Sequence, residues 1–158
     1  MSPAVGDRAP ELVLRDQHGA PFSLSSVGAD RGVLQVFFPY AFSGVCTGEL
    51  HALRDRGDEI TAAGGAVVGV SCDPMFSLRA FADRDGLAFP LLSDFWPHGA
   101  VASAYGVLDE RQGCPTRSTF LVDADGVIGW STHHPMGEAR DVDGYLRALA
   151  ALTPGEGR

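Results

Sequence analysis

Val33-Leu34-Gln35-Val36-Phe37-Phe38-Pro39-Tyr40-Ala41-Phe42-Ser43-Gly44-Val45-Cys46 is the stretch on which the reading of the fold turns. Its first six residues are almost wholly apolar, as expected of a strand buried on both faces of a sheet. Pro39 ends that run because it cannot donate to a strand ladder, and helical spacing begins near Thr47. Cys46 therefore falls in the first turn of a helix, at the carboxyl end of a strand. Unsatisfied backbone N–H groups and the positive end of the helix dipole favour a thiolate at such a place.

Toward the N-terminus, residues 11–14 and 21–24 flank Asp16-Gln17-His18-Gly19 and predict a short hairpin. Toward the C-terminus, a helix over roughly 45–62 is expected to carry Leu50, Leu53 and Ile60 on one side and to end at Gly64-Gly65. Residues 66–71 predict a second buried strand, parallel to the first, with Cys72 at its carboxyl end. A helix over 75–84 is expected to start near Asp73-Pro74. Leu91-Leu92 predicts a short strand, and 97–105 a short helix with Pro97 in its first turn.

Residues 117–123 and 126–132 alternate as two strands around Asp123-Ala124-Asp125-Gly126, a hairpin turn. A last helix from about Asp141 carries Val142, Tyr145, Leu146 and Leu149, and residues 153–158 are expected to fray. The order predicts an α/β domain over 1–158 with a core of about 4–152. A central mixed sheet is flanked by helices, and the N-terminal β-hairpin is an extension.

Composition narrows the chemistry. The net charge is −8 without a basic cluster, which disfavours nucleic acid and anionic membrane surfaces as partners. All 12 basic residues are arginine, so neither Schiff-base chemistry nor a P-loop lysine is available. The three cysteines, Cys46, Cys72 and Cys114, form no Cys-x-x-Cys, which argues against a disulfide scaffold, a dithiol motif and structural zinc. No apolar run is long enough to span a bilayer, and the first residues carry no secretory pattern. The expected location is the cytoplasm.

Pro39-x-x-x-Ser43-x-x-Cys46, with Glu49 three residues on, resembles the active-site signature of peroxiredoxins. The likeness extends over about 4–151. Phe89-Pro90-Leu91-Leu92-Ser93-Asp94-Phe95-Trp96-Pro97-His98-Gly99-Ala100-Val101 and Ala104-Tyr105-Gly106-Val107 are similar to the alkyl hydroperoxide reductase E, or one-cysteine, type. The resemblance implies a thioredoxin-like fold and no cofactor or metal. It also implies reduction of hydrogen peroxide, alkyl hydroperoxides and peroxynitrite through a sulfenic acid.

By position, it implies Cys46 as the peroxidatic residue, Pro39 as its shield and Ser43 as a hydrogen-bonding partner of sulfur and peroxide. Arg117, in Thr116-Arg117-Ser118-Thr119-Phe120, would supply the guanidinium. Ser43 stands where threonine is commoner, keeping the hydroxyl. The expected reductant is an external thiol, either a mycoredoxin or glutaredoxin-like protein, thioredoxin, or a small thiol such as mycothiol. The implied assembly is a homodimer or larger, with 93–101 near the contact.

Plainer readings stand beside these. Ser43 is an ordinary helix N-cap. Glu49 reads first as a first-turn carboxylate favoured by the dipole and second as an active-site hydrogen-bonding group. Cys72 and Cys114 read first as buried structural cysteines and second as resolving thiols. His51, His98, His133 and His134 read as surface or loop residues. Phe42, Phe95 and Trp96 read as core or subunit contacts. The competing functions are a peroxide sensor using the same cysteine, or a cysteine hydrolase that needs an imidazole beside the sulfur.

Overall fold

The computed structural model describes residues 2–27, 31–134 and 142–152, with the side chains of Val45 and Cys46 outside the described residues. The expected origin of the last helix at Asp141 and the tail from 153 also lie outside them. Seven strands form one sheet in the order β2 (Pro21–Ser23), β1 (Val13–Arg15), β5 (Leu91–Ser93), β4 (Gly65–Ser71), β3 (Gly32–Phe37), β8 (Arg117–Asp123), β9 (Ile128–His134). At its centre, β3 (Gly32–Phe37), β4 (Gly65–Ser71) and β5 (Leu91–Ser93) run parallel. On the other side of β3, β8 (Arg117–Asp123) and β9 (Ile128–His134) continue antiparallel. The hairpin β1 (Val13–Arg15) and β2 (Pro21–Ser23) extends the opposite edge through Arg15↔Ser93.

Every residue of β3 is buried, so its alternation feeds two cores. Leu34 and Val36 join Leu50, Leu53, Ile60, Phe81, Leu121, Tyr145 and Leu149 on one face. Val33 and Phe37 join Val68, Val70, Tyr105, Phe120 and Val122 on the other. The strand-like apolar run thus sits where two-sided burial demands it. Helices α3 (Met75–Asp85) and α5 (Val142–Ala151) follow the expected periodicity. No helix among the described residues is long and apolar enough to cross a membrane.

Three boundaries differ from the sequence expectation. The expected 45–62 helix is two helices, α1 (Gly44–Asp55) and α2 (Gly57–Ala62). Arg56 leaves helical geometry at φ −108°, ψ 18°, and its guanidinium ties Glu59 and, at 2.6 Å, Asp143 of α5. Leu50, Leu53 and Ile60 nevertheless share one core, and Gly64 ends the segment at φ +85°.

The expected 97–105 helix is only α4 (Ala100–Ala104), without Pro97. It begins where the Val101 and Ala102 N–H groups meet the Asp94 carboxylate at 3.1 and 2.8 Å, a cap supplied from several residues upstream. The late hairpin turn is longer than expected because Asp123 Oδ1 accepts from both Asp125 and Val127 N–H. That moves β9 to Ile128–His134, and a register shift between Leu121 and Val122 then sets His134 opposite Arg117. A small ladder of β6 (Leu108–Asp109) and β7 (Cys114–Pro115) had no counterpart in the sequence reading.

Candidate active site

The chain leaves β3 through buried Phe38 and Pro39 and then surfaces at Tyr40. Ser43 occupies the N-cap position of α1 at φ −76°, ψ 146°, but its side chain makes no capping hydrogen bond. The first helical bond runs from Thr47 N–H to the Ser43 carbonyl at 2.8 Å. Gly44, Val45 and Cys46 are therefore the first three helical positions, whose N–H groups precede the intrahelical ladder. No acidic residue stands in this first turn. The sequence reading put Glu49 there; it lies in the second turn instead.

Phe42 carries the one positive φ of a non-glycine residue among those described, +69°. A bulky side chain in the left-handed region costs about 1–3 kcal/mol and persists only where neighbours hold it. The Phe42 ring packs on Phe81 at 5.1 Å between centroids, and the Arg84 guanidinium covers it at 4.7 Å. Arg84 is fixed in turn by two bonds to Asp85, at 2.8 and 2.9 Å. This pairing holds the Asp85 carboxyl below its ordinary range. On the other side of the turn, Ala41 N–H donates to Asp73 at 2.9 Å, and Tyr40 donates its phenol to the Gln112 carbonyl at 3.1 Å.

Arg117 reaches the same place from β8. Because Phe37 faces Ser118 across the ladder, Arg117 is level with Phe38, where β3 ends. Its side chain is 1% exposed and forms an ion pair with buried Glu49. Glu49 is three residues beyond Cys46 on α1, a spacing that puts two side chains on one helix face. A guanidinium in a dry setting thus stands one helical turn from the cysteine position. The sequence signal for Glu49 was the Cys-x-x-Glu spacing; its buried pairing with Arg117 was not visible from that alone.

The remaining residues divide clearly. Cys72 directly follows β4 at the same carboxyl edge, as the parallel β3–β4 register requires. It is a buried thiol pushed up to about 12, first by burial and then by Asp94, Cys114 and Asp73. Cys114, at the start of β7, is also a buried thiol. Its hydrogen bond with Tyr40 is the main cause that raises the phenol to about 12. Both therefore match the structural reading of a buried cysteine more closely than that of a reactive one.

His51 Nε2 lies 3.5 Å from Asp85, His98 lies 2.7 Å from the Gly113 carbonyl, and His133 lies 2.7 Å from Ser118 Oγ. Phe42, Phe95 and Trp96 are 45%, 48% and 81% exposed, so the core alternative for them is corrected. They are surface aromatics.

Residues 5–131 match the AhpC/TSA family. The chain is 45% identical over 149 residues to a Mycobacterium tuberculosis protein named alkyl hydroperoxide reductase E, covering 94% of this chain and 97% of that one. It is 34% identical over 160 residues to the chloroplastic 2-Cys peroxiredoxin BAS1 of Spinacia oleracea, covering 95% of this chain and 60% of that one. Among solved structures, peroxidoxin BcpB of Mycobacterium tuberculosis superposes with a TM-score of 0.84 at 32% identity, covering 93% and 96% of the two chains.

Proposed function

This chain belongs to the AhpC/TSA family and is a peroxiredoxin, a thiol peroxidase with a thioredoxin-like fold, and we propose that it reduces hydrogen peroxide and alkyl hydroperoxides through Cys46. The sulfur lone pair of the Cys46 thiolate attacks one peroxide oxygen as the O–O bond breaks. The sulfur gains that oxygen as a sulfenic acid, and the leaving oxygen departs with a proton as water or an alcohol. An external thiol then attacks the sulfenic sulfur and releases water. A second thiol resolves the mixed disulfide and regenerates Cys46. Peroxynitrite is a further substrate of the same step.

The observation that carries this reading is the buried Arg117–Glu49 pair, one helical turn from Cys46 at the carboxyl end of β3. Lowering a thiol pKa from about 8.5 to about 6 takes roughly 3.4 kcal/mol of preferential thiolate stabilisation. A helix terminus supplies about 0.3–1, at most ~2 kcal/mol. A guanidinium some 4 Å away supplies up to about 4 kcal/mol at an effective dielectric near 20, before desolvation. The helix terminus alone falls short, so the reading requires the guanidinium as well.

Ionisation does not account for a fast peroxidase. Going from about 3% to 90% thiolate gains roughly 30-fold. The weaker nucleophile loses roughly 13-fold if the thiol–disulfide slope of about 0.4–0.5 applies. The remainder must come from donors aimed at the peroxide as its bond stretches. Arg117, the Ser43 hydroxyl and the N–H groups of Val45 and Cys46 are the groups we assign to that task, with Pro39 covering the sulfur. The uncapped state of Ser43 supports its share: its hydroxyl is not spent on the helix.

Glu49 keeps the guanidinium oriented. The hydrolase alternative is disfavoured by the family to which the chain belongs.

For the reductant we propose a small dithiol protein of the mycoredoxin, glutaredoxin or thioredoxin kind, or a low-molecular-weight thiol such as mycothiol. For the assembly we propose a homodimer that covers Phe95 and Trp96, testable by sedimentation in reduced and oxidised forms. Stopped-flow oxidation of the wild type and Cys46→Ser with hydrogen peroxide and cumene hydroperoxide, followed by a reductant screen, tests the function. Rapid oxidation with sustained turnover, abolished in Cys46→Ser, is expected. Rapid oxidation without turnover by any thiol would instead identify a sensor.

A further inference from the structure

We infer that Asp73 is a positioning residue for the cysteine-bearing turn, acting through the Ala41 amide; this rests on the peroxidase reading above. Asp73 lies two residues beyond β4 and is half-buried. Its Oδ2 accepts the Ala41 N–H at 2.9 Å and the Ser71 hydroxyl at 2.7 Å. Its own N–H donates to Ser71 Oγ at 3.2 Å, and its carbonyl accepts the Ser93 hydroxyl at 2.6 Å. One residue thus joins the carboxyl ends of β4 and β5 to the segment between β3 and α1.

The bond to Ala41 falls immediately before Phe42, which is the strained residue at φ +69°. A left-handed phenylalanine relaxes unless the chain is held on both sides of it. On the far side the hold is the stack of Phe42 on Phe81 under Arg84. On the near side it is Asp73. Everything downstream inherits the direction set there: Ser43 in extended geometry, then the N–H groups of the first turn of α1. Peroxide must be met by several donors at once, and small misplacements of such groups are costly in rate. Alkylation of a thiolate by iodoacetamide needs only access to the sulfur and its charge.

The test therefore compares the two reactions of Cys46 in folded variants, with thermal melts alongside. Asp73→Ala is expected to lower the rate constant for oxidation by hydrogen peroxide about 10- to 100-fold. Alkylation should fall by less than about threefold, with the midpoint of its pH profile unmoved. Asp73→Asn retains an oxygen that accepts from Ala41 N–H and should come within about threefold of wild type in both. Ser71→Ala removes the hydroxyl bracing the carboxylate and should lose about three- to tenfold in peroxide rate alone; it decides the matter if Asp73→Ala does not fold.

A peroxide rate unchanged in the folded alanine variants overturns the inference, as does an equal fall in both reactions. A wild-type protein that reacts with iodoacetamide but not with peroxide overturns the peroxidase reading itself, a different result.

Discussion

Positions 46 and 72 lie at the same carboxyl edge of one sheet, yet the charges around them differ. Position 46 is in the first turn of α1, which has no acidic residue, and the carboxylate one turn on, Glu49, is paired with the Arg117 guanidinium. Cys72 is buried beside Asp94 and Asp73, with the Gly99 N–H as a counterweight, and its thiol is pushed up to about 12. A sheet edge therefore does not make a thiolate. Burial and neighbouring charge decide whether a cysteine there is a nucleophile or a small apolar side chain.

The sharpest way to break the contrast is to isolate each thiol. In a Cys46→Ser/Cys114→Ser variant, Cys72 should react with iodoacetamide at neutral pH at least about 10³-fold more slowly than Cys46 does in the converse variant. The sign of the pH dependence is fixed. A thiol titrating near 12 stays protonated at neutral pH, so its rate should climb about tenfold per pH unit across the alkaline range. A plateau near neutrality would refute the assignment.

Next in size is Arg117→Met. We expect about 10²- to 10³-fold loss in peroxide rate and about 3–5 kcal/mol of stability, because one member of a buried pair is removed. Measuring the Cys46 pKa in the same variant separates two roles. A rate loss fully explained by altered ionisation and nucleophilicity would show that Arg117 acts on the thiolate and not on the breaking O–O bond.

Ser43→Ala sharpens the helix-terminus side of the comparison. Since the hydroxyl makes no cap bond, stability should change by less than the ~1 kcal/mol of an ordinary N-cap loss. The peroxide rate, in contrast, should fall about tenfold. A full cap-sized loss of stability with an unchanged rate would reverse the assignment. Smallest is Asp94→Asn, which removes one carboxylate from the Cys72 side. Burial remains the first cause of that elevated pKa, so alkylation of Cys72 should quicken only a few-fold.

The contrast also marks how far residue order alone could go. The apolar run of β3 and the proline after it were sufficient to anticipate a strand feeding a helix with Cys46 in its first turn. Arg117 was legible through its place at the head of an alternating strand and the resemblance of its surroundings. Glu49 was legible only as a spacing. Asp73 was legible only as a helix start with Pro74; its bond to Ala41 spans 32 residues. The boundaries that shifted share this cause. Arg56 breaks the long helix where it ties Asp143, α4 starts where Asp94 reaches its N–H groups, and the turn at Asp123 extends to Val127.

Taken alone, the order of residues determined the strand–helix alternation, the placing of Cys46 in the first turn of α1 and the absence of any lysine, because periodicity and side-chain type are local properties. Tertiary structure alone decided that Arg117 meets Glu49, that Asp73 holds the turn before Phe42, and that Cys72 is a protonated thiol. Those outcomes depend on charge, hydrogen bonding and loss of water between segments far apart in the chain, and such terms exist only once the sheet has brought the segments together.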